Sequence, residues 1–169
     1  VMQQNRAFRA DKLLGFQWIP NTNKYVYYTD AGSKMMSAST TDSKAKELVT
    51  LTEVNTALGT KLKSFTGLEW IDANTVLITE NTKYYSYSLT SKSGKKIQEV
   101  SDTAENLTFD TAKQNLAFTE KNNLYFFNKN KEKITVTNES NEGIVSGQSI
   151  ARNEFGINNG IFWSPKASF

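Results

Sequence analysis

The chain has 169 residues, 38% hydrophobic and 12% aromatic, which is enough for a sizeable core and excludes a disordered or collagen-like polymer. Its 20 Lys and Arg against 17 Asp and Glu leave a formal charge of only +3, so nucleic acid is not an expected partner. Cys and His are both absent, which excludes disulfides, a Ser-His-Asp triad, a Cys-His pair and a histidine metal site within this chain.

No apolar run approaches the length of a membrane span, so no membrane insertion is expected. No cluster of Asp and Gly reads as a carboxylate metal loop, and no cofactor is expected. The lysine-rich stretches Lys92 to Lys96 and Lys129 to Lys133 sit among Ser, Asn and Gly and read as solvated hairpin tips.

In chain order, the first strong signal is "FQWIPNTNKYVYYTD". Phe16 and Trp18 lead into a polar turn and then into Tyr25 and Tyr27, the alternation of a strand. "KMMSAS" and "KELVTL" follow as two further strand-like runs. Next comes "TLTEVNTALGTKL", which is helical. Thr50 followed by Glu53 spells a capping box, Leu51, Val54 and Leu58 share a face, and Gly59 stands where a left-handed stop belongs. The spacing predicts a helix over 51–58.

"LEWIDANTVLITE" repeats the opening sentence, with "KYYSYSLT" and "KKIQEV" after it. "LTFDTAKQNLAFTE" repeats it again, with "NLYFFN" and "EKITVT" after it. A fourth version opens at "GIFWSPKASF". Each unit reads as a four-stranded meander, and the aromatic anchors Trp18, Trp70, Phe109 and Trp163 recur at the spacing of propeller blades. The Trp and Tyr anchors, with Met35 and Met36, read as core. The expected fold is all-β: a partial β-propeller of about three four-stranded blades plus the first strand of a fourth. Blades are expected at roughly 14–51, 65–100 and 104–137, with the next starting near 160. A β-sandwich is the alternative architecture. Three blades cannot close a ring, so residues 1–169 read as an incomplete propeller domain whose remainder lies elsewhere in the protein or in a partner.

The ordered series "FQWIPNTNKYVY", "LTEVNTAL", "LAFTEKNNLYFF" and "SGQSIARNEFGINNGIFWSPK" resembles the N-terminal propeller of the dipeptidyl-peptidase IV branch of the prolyl oligopeptidase family. The resemblance extends to its bacterial dipeptidyl and prolyl tripeptidyl aminopeptidases. It implies an eight-bladed propeller joined to a C-terminal α/β-hydrolase domain, in a serine exopeptidase that removes dipeptides or tripeptides from peptide N-termini. The nucleophile, its Asp and its His would belong to the hydrolase domain, of which this chain holds nothing, so the chain is not catalytic by itself.

The resemblance also implies a role for "SIARNEF". In that family a short insert presents one or two Glu to the substrate's free amino group, and here the carboxylate is Glu154, flanked by Asn153 and Arg152. An ammonium with three donors is met by charge-assisted hydrogen bonds, whose loss in a partly desolvated chamber costs on the order of 2–5 kcal/mol. Asn153 stands where the double-Glu form would carry its second acid, which makes this chain more like the tripeptidyl members. An Arg frequent in the family's second blade has no counterpart in "ENTKYYSYSLTSK". The implied partners are a peptide with a free N-terminus, the rest of the propeller, the hydrolase domain and a second copy of the full-length protein. The implied location is periplasmic or cell-surface. A non-catalytic propeller that binds protein or glycan is the alternative function.

Overall fold

The computed structural model describes residues 13–42, 44–112, 114–149, 155–157 and 159–164. Among these residues the chain forms twelve strands in three four-stranded antiparallel sheets, one α-helix and no closed barrel. Each sheet pairs its strands in sequential order, with no crossover between sheets. That is the meander expected of a blade, not the interleaved order of a sandwich. The chain divides into two compact units, 1–66 and 67–169.

Unit one holds the first sheet: β1 (Leu14–Trp18), β2 (Lys24–Thr29), β3 (Lys34–Ser39) and β4 (Lys46–Thr50). Its inner face carries Val26, Tyr28, Met35 and Val49, all 5% exposed or less. Tyr28 stacks on Phe65 at 5.6 Å. Gly15 has a φ of +62°, and a Cβ there would collide with the Tyr28 ring, so the strand bends past the ring only because Gly carries no side chain.

The helix α1 (Leu51–Leu58) begins and ends where the sequence predicts. Thr50 Oγ1 accepts from the Glu53 amide at 3.2 Å, and the Thr50 amide donates to Glu53 Oε2 at 2.7 Å. Gly59 closes the helix at φ +68°. Leu51 and Val54 are buried. The Asn55 side chain then ties down the exit by bonding Thr60 and both backbone groups of Leu62.

The other face of the first sheet departs from expectation. Trp18 pairs with Tyr25, on the side opposite Val26 and Tyr28. There Trp18 is 53% exposed and Phe16 43%. Trp18, Phe16 and Tyr25 contact one another with ring centroids 5.3–5.8 Å apart. The core role expected for Trp18 is therefore not seen: strand alternation puts it on an apolar face that no described residue covers. Met35 is fully buried as expected, while Met36, one residue on and on the opposite face, is half-buried.

Unit two holds two sheets. The second sheet is β5 (Glu69–Trp70), β6 (Thr75–Glu80), β7 (Lys83–Ser88) and β8 (Ser93–Glu99). The third is β9 (Glu105–Asp110), β10 (Asn115–Glu120), β11 (Asn123–Phe127) and β12 (Lys133–Thr135). They share one core. Leu77, Tyr84 and Ile97 of the second sheet meet Leu116 and Phe118 of the third, with Phe109, Tyr125 and Phe127 packed around them. Tyr84 stacks on Phe109 at 5.5 Å, and Phe118 stacks on Tyr125 at 5.6 Å. Burial, and then the nearby Glu69 carboxylate, push the Tyr84 hydroxyl up to about 12, so it stays protonated at neutral pH.

The hairpin between β10 and β11 turns on Lys121 and Asn122, both at positive φ, the geometry a two-residue turn needs to match strand twist. Gln98 Nε2 donates to the Asn128 carbonyl at 2.7 Å, a further tie between the two sheets. Of the lysine clusters, Lys92 lies in the β7–β8 turn and Lys129 in the β11–β12 turn. Lys95 and Lys96 lie within β8 rather than at a hairpin tip, and Lys96 pairs with Glu99.

In the full-length protein, Gly15→Ala adds an overpacking cost to a left-handed backbone cost, roughly 2–4 kcal/mol together. Thermal unfolding should start several degrees lower. Glu120 accepts from Thr103 Oγ1 at 2.6 Å and from Lys133 Nζ at 3.3 Å. These partners, Thr103 first, hold its carboxyl below the ordinary 4.5. A depressed carboxyl stabilises the fold fully above pH 4.5 and loses that contribution as pH falls through its folded value. The partners are solvent-screened, so the contribution is about 1 kcal/mol or less. Acid titration of Glu120→Gln, read by denaturant midpoint, should show a shallower loss of stability below pH 4.5 than the parent protein.

Candidate functional site

The three residues implicated by sequence, Arg152, Asn153 and Glu154, lie outside the described residues. What the structure does define is the neck from which their segment departs. Gln148 and Asn159 form an isolated antiparallel bridge, and residues 152–154 fall between these two partners in sequence.

The neck is built on the third sheet, on the face turned away from the second. Ala117, Thr119, Leu124 and Phe126 share that face by register. Gly147 sits on it at φ +69°, where a Cβ would come within 2.9 Å of Thr119 and 3.1 Å of Leu124. Ser146 N donates to the Asn122 carbonyl at 2.9 Å, and Gly160 N to the Gly147 carbonyl at 3.2 Å. Gly160 lies so close to the facing backbone that a Cβ would stand 2.8 Å from the carbonyl of Gln148.

Thr108 of β9 holds the returning segment. Asn159 Nδ2 donates to Thr108 Oγ1 at 2.8 Å, and Trp163 Nε1 donates to the Thr108 carbonyl at 3.1 Å. β9 is an edge strand, and the indole satisfies an edge carbonyl that would otherwise need water or another strand. The Trp163 ring also meets Phe126 edge-on at 6.3 Å. Beneath, Asn106 stands at φ +52° in a β-bulge and donates to Thr119 Oγ1 at 2.8 Å.

Trp163 lies in the stretch expected to begin a further sheet near residue 160, of which residues 165–169 lie outside the described residues; among residues 159–164 the backbone bridge is that of Asn159 with Gln148. Phe155, Ile157 and Phe162 are exposed at 76%, 54% and 86%. No group of three or more metal-ligating side chains occurs among the described residues. No helix among them is long and apolar enough to cross a membrane. Sequence reading missed Thr108 and Asn159 as neck residues. The local hint was Gly147 and Gly160 flanking the insert, a spacing that lets two backbones approach.

Meander sheets with apolar faces, one of them covered by the backbone around Gly147 and Gly160, define a sheet-repeat scaffold. Comparison with known proteins gives this class a family. The model of the dipeptidyl peptidase IV (DPP IV) N-terminal region matches residues 72–169, more than half of the chain, and the chain belongs to that family. Among solved structures, a Bacteroides ovatus protein described as a dipeptidyl aminopeptidase IV is similar at 30% identity with a TM-score of 0.72, over 93% of this chain. Dipeptidyl peptidase 4 of Porphyromonas gingivalis shares the fold at 17% identity and a TM-score of 0.54, over 86% of this chain. The chain spans 22% and 23% of the lengths of those two proteins. A comparison with curated proteins found no match.

The neck makes a direct prediction. In Gly160→Ala the new Cβ cannot fit against Gln148, and the bond from the residue-160 amide to Gly147 is strained or lost. Amide hydrogen exchange at residue 160 should accelerate at least about tenfold, while exchange in β6 and β10 stays as in the parent protein.

Proposed function

We propose that this chain is part of the substrate-gating propeller of a serine exopeptidase, and that Glu154 anchors the free amino terminus of the peptide. The observation that carries the reading is the family match over 72–169, a stretch that includes Glu154 and its neck. The neck adds a physical reason. A carboxylate can serve as a ruler only if its segment leaves the scaffold at a fixed point, and Gln148, Asn159 and Thr108 fix that point. Asn153 and Arg152 would flank the ammonium, with Arg152 also able to pair with Glu154.

The same reading assigns the partners. Several hundred further residues of the protein would supply the remaining sheets and the hydrolase domain, as the 22% coverage of the Bacteroides relative supports. The uncovered aromatic face around Trp18 would take one of those sheets. A periplasmic or cell-surface setting and a dimer of the full-length protein belong to the same proposal.

The test is Glu154→Ala in the full-length protein. For peptides with a free amino terminus, kcat/KM should fall at least about thirtyfold, the equivalent of roughly 2 kcal/mol. Peptides with a blocked amino terminus, already slow, should show no comparable further loss. An unchanged kcat/KM on free peptides would remove the anchoring role from Glu154.

A further inference from the structure

The neck contains the chain's sole Asn–Gly pair, Asn159–Gly160. Such a pair is chemically labile, because no Cβ on the glycine shields its amide nitrogen from the neighbouring carboxamide carbon. Here the same missing Cβ is what lets Gly160 lie against the Gln148 backbone. We infer that Asn159–Gly160 is a latent deamidation site that the closed neck holds inert, so that conversion records opening of the neck and then makes the opening permanent. This inference is independent of the role proposed for Glu154.

The geometry opposes the reaction at both reacting groups. The Asn159 carboxamide is held by three hydrogen bonds. Its Nδ2 donates to Thr108 Oγ1 at 2.8 Å and to the Ile161 carbonyl at 3.4 Å, and its Oδ1 accepts from Ile161 N at 2.9 Å. The nucleophile is occupied as well, since Gly160 N donates to Gly147 O at 3.2 Å. Attack requires the carboxamide to leave Thr108 and Ile161, and the Gly160 amide to leave Gly147. Those are the contacts that close the neck.

The chemistry then balances with water alone. Gly160 N loses its proton and bonds to Asn159 Cγ, the Cγ–Nδ2 bond breaks, and ammonia leaves. Water opens the resulting succinimide at either carbonyl, giving Asp or isoaspartate at position 159. Neither product restores the neck. A carboxylate can accept from the Thr108 hydroxyl only by reversing that bond, it has no N–H for the Ile161 carbonyl, and it brings negative charge against that carbonyl oxygen. Isoaspartate also lengthens the backbone between positions 159 and 160, which moves Gly160 N off Gly147 and breaks register with Gln148.

The experiment follows residue 159 by peptide mapping and mass spectrometry during incubation of the full-length protein at mildly alkaline pH. Three samples are compared: native protein, the same protein unfolded in urea, and native Thr108→Val, which removes the Oγ1 acceptor and keeps the branched shape. Conversion should be at least about a hundredfold faster in the unfolded sample than in the native one. Thr108→Val, shown folded by circular dichroism, should convert about fivefold faster than the native parent. If Thr108→Val does not fold, Trp163→Phe replaces it, since it removes the indole donor to the Thr108 carbonyl, and the same direction is expected. Equal rates in native and unfolded protein would overturn the inference. So would a folded variant whose rate matches the parent.

Discussion

The structure rests on burial of one sheet against another. Leu77 and Tyr84 on one side and Phe109, Leu116 and Phe118 on the other form a core that neither sheet could make alone. Leu116 and Phe118 are 2% exposed or less, and burying each such side chain stabilises by about 1.5–3 kcal/mol. No sheet here closes on itself, because each is an open meander of four short strands. Its apolar faces must be covered from outside, by another sheet, a helix or a returning segment.

Two of the sheets show how that requirement is met. On the inner face of the first sheet, Phe65 stacks on Tyr28. The third covers its far face with Gly147, Ile161 and Trp163, and in doing so pins the segment that bears Glu154. The outer face of the first sheet, around Trp18, is the one aromatic face for which the described residues offer no cover. A scaffold whose stability comes from lateral stacking can carry an insert at little cost, since the insert's ends help to cover a sheet.

Much of this was legible in the sequence because it is local. Alternating aromatics and polar turns located the strands, and Thr50, Glu53 and Gly59 gave both ends of the helix. The exposure of Trp18 was not legible. Alternation assigns a residue to a face, and says nothing about whether a neighbour covers that face. The neck was hidden for a different reason. Asn159 meets Thr108 across 51 residues, and neither residue type is unusual where it stands. Glu154 was reached through resemblance, and its place in the segment between Gln148 and Asn159 gives that assignment a mechanical context.

These sheets are complete only when each apolar face has a neighbour. Hydroxyl-radical footprinting of the full-length protein, read at Trp18, tests it most directly. Trp18 is 53% exposed in the present chain. The account predicts that in the whole protein it is oxidised no faster than a core aromatic such as Phe118, once their intrinsic reactivities are normalised. Oxidation of Trp18 at the rate of a free surface tryptophan would contradict it.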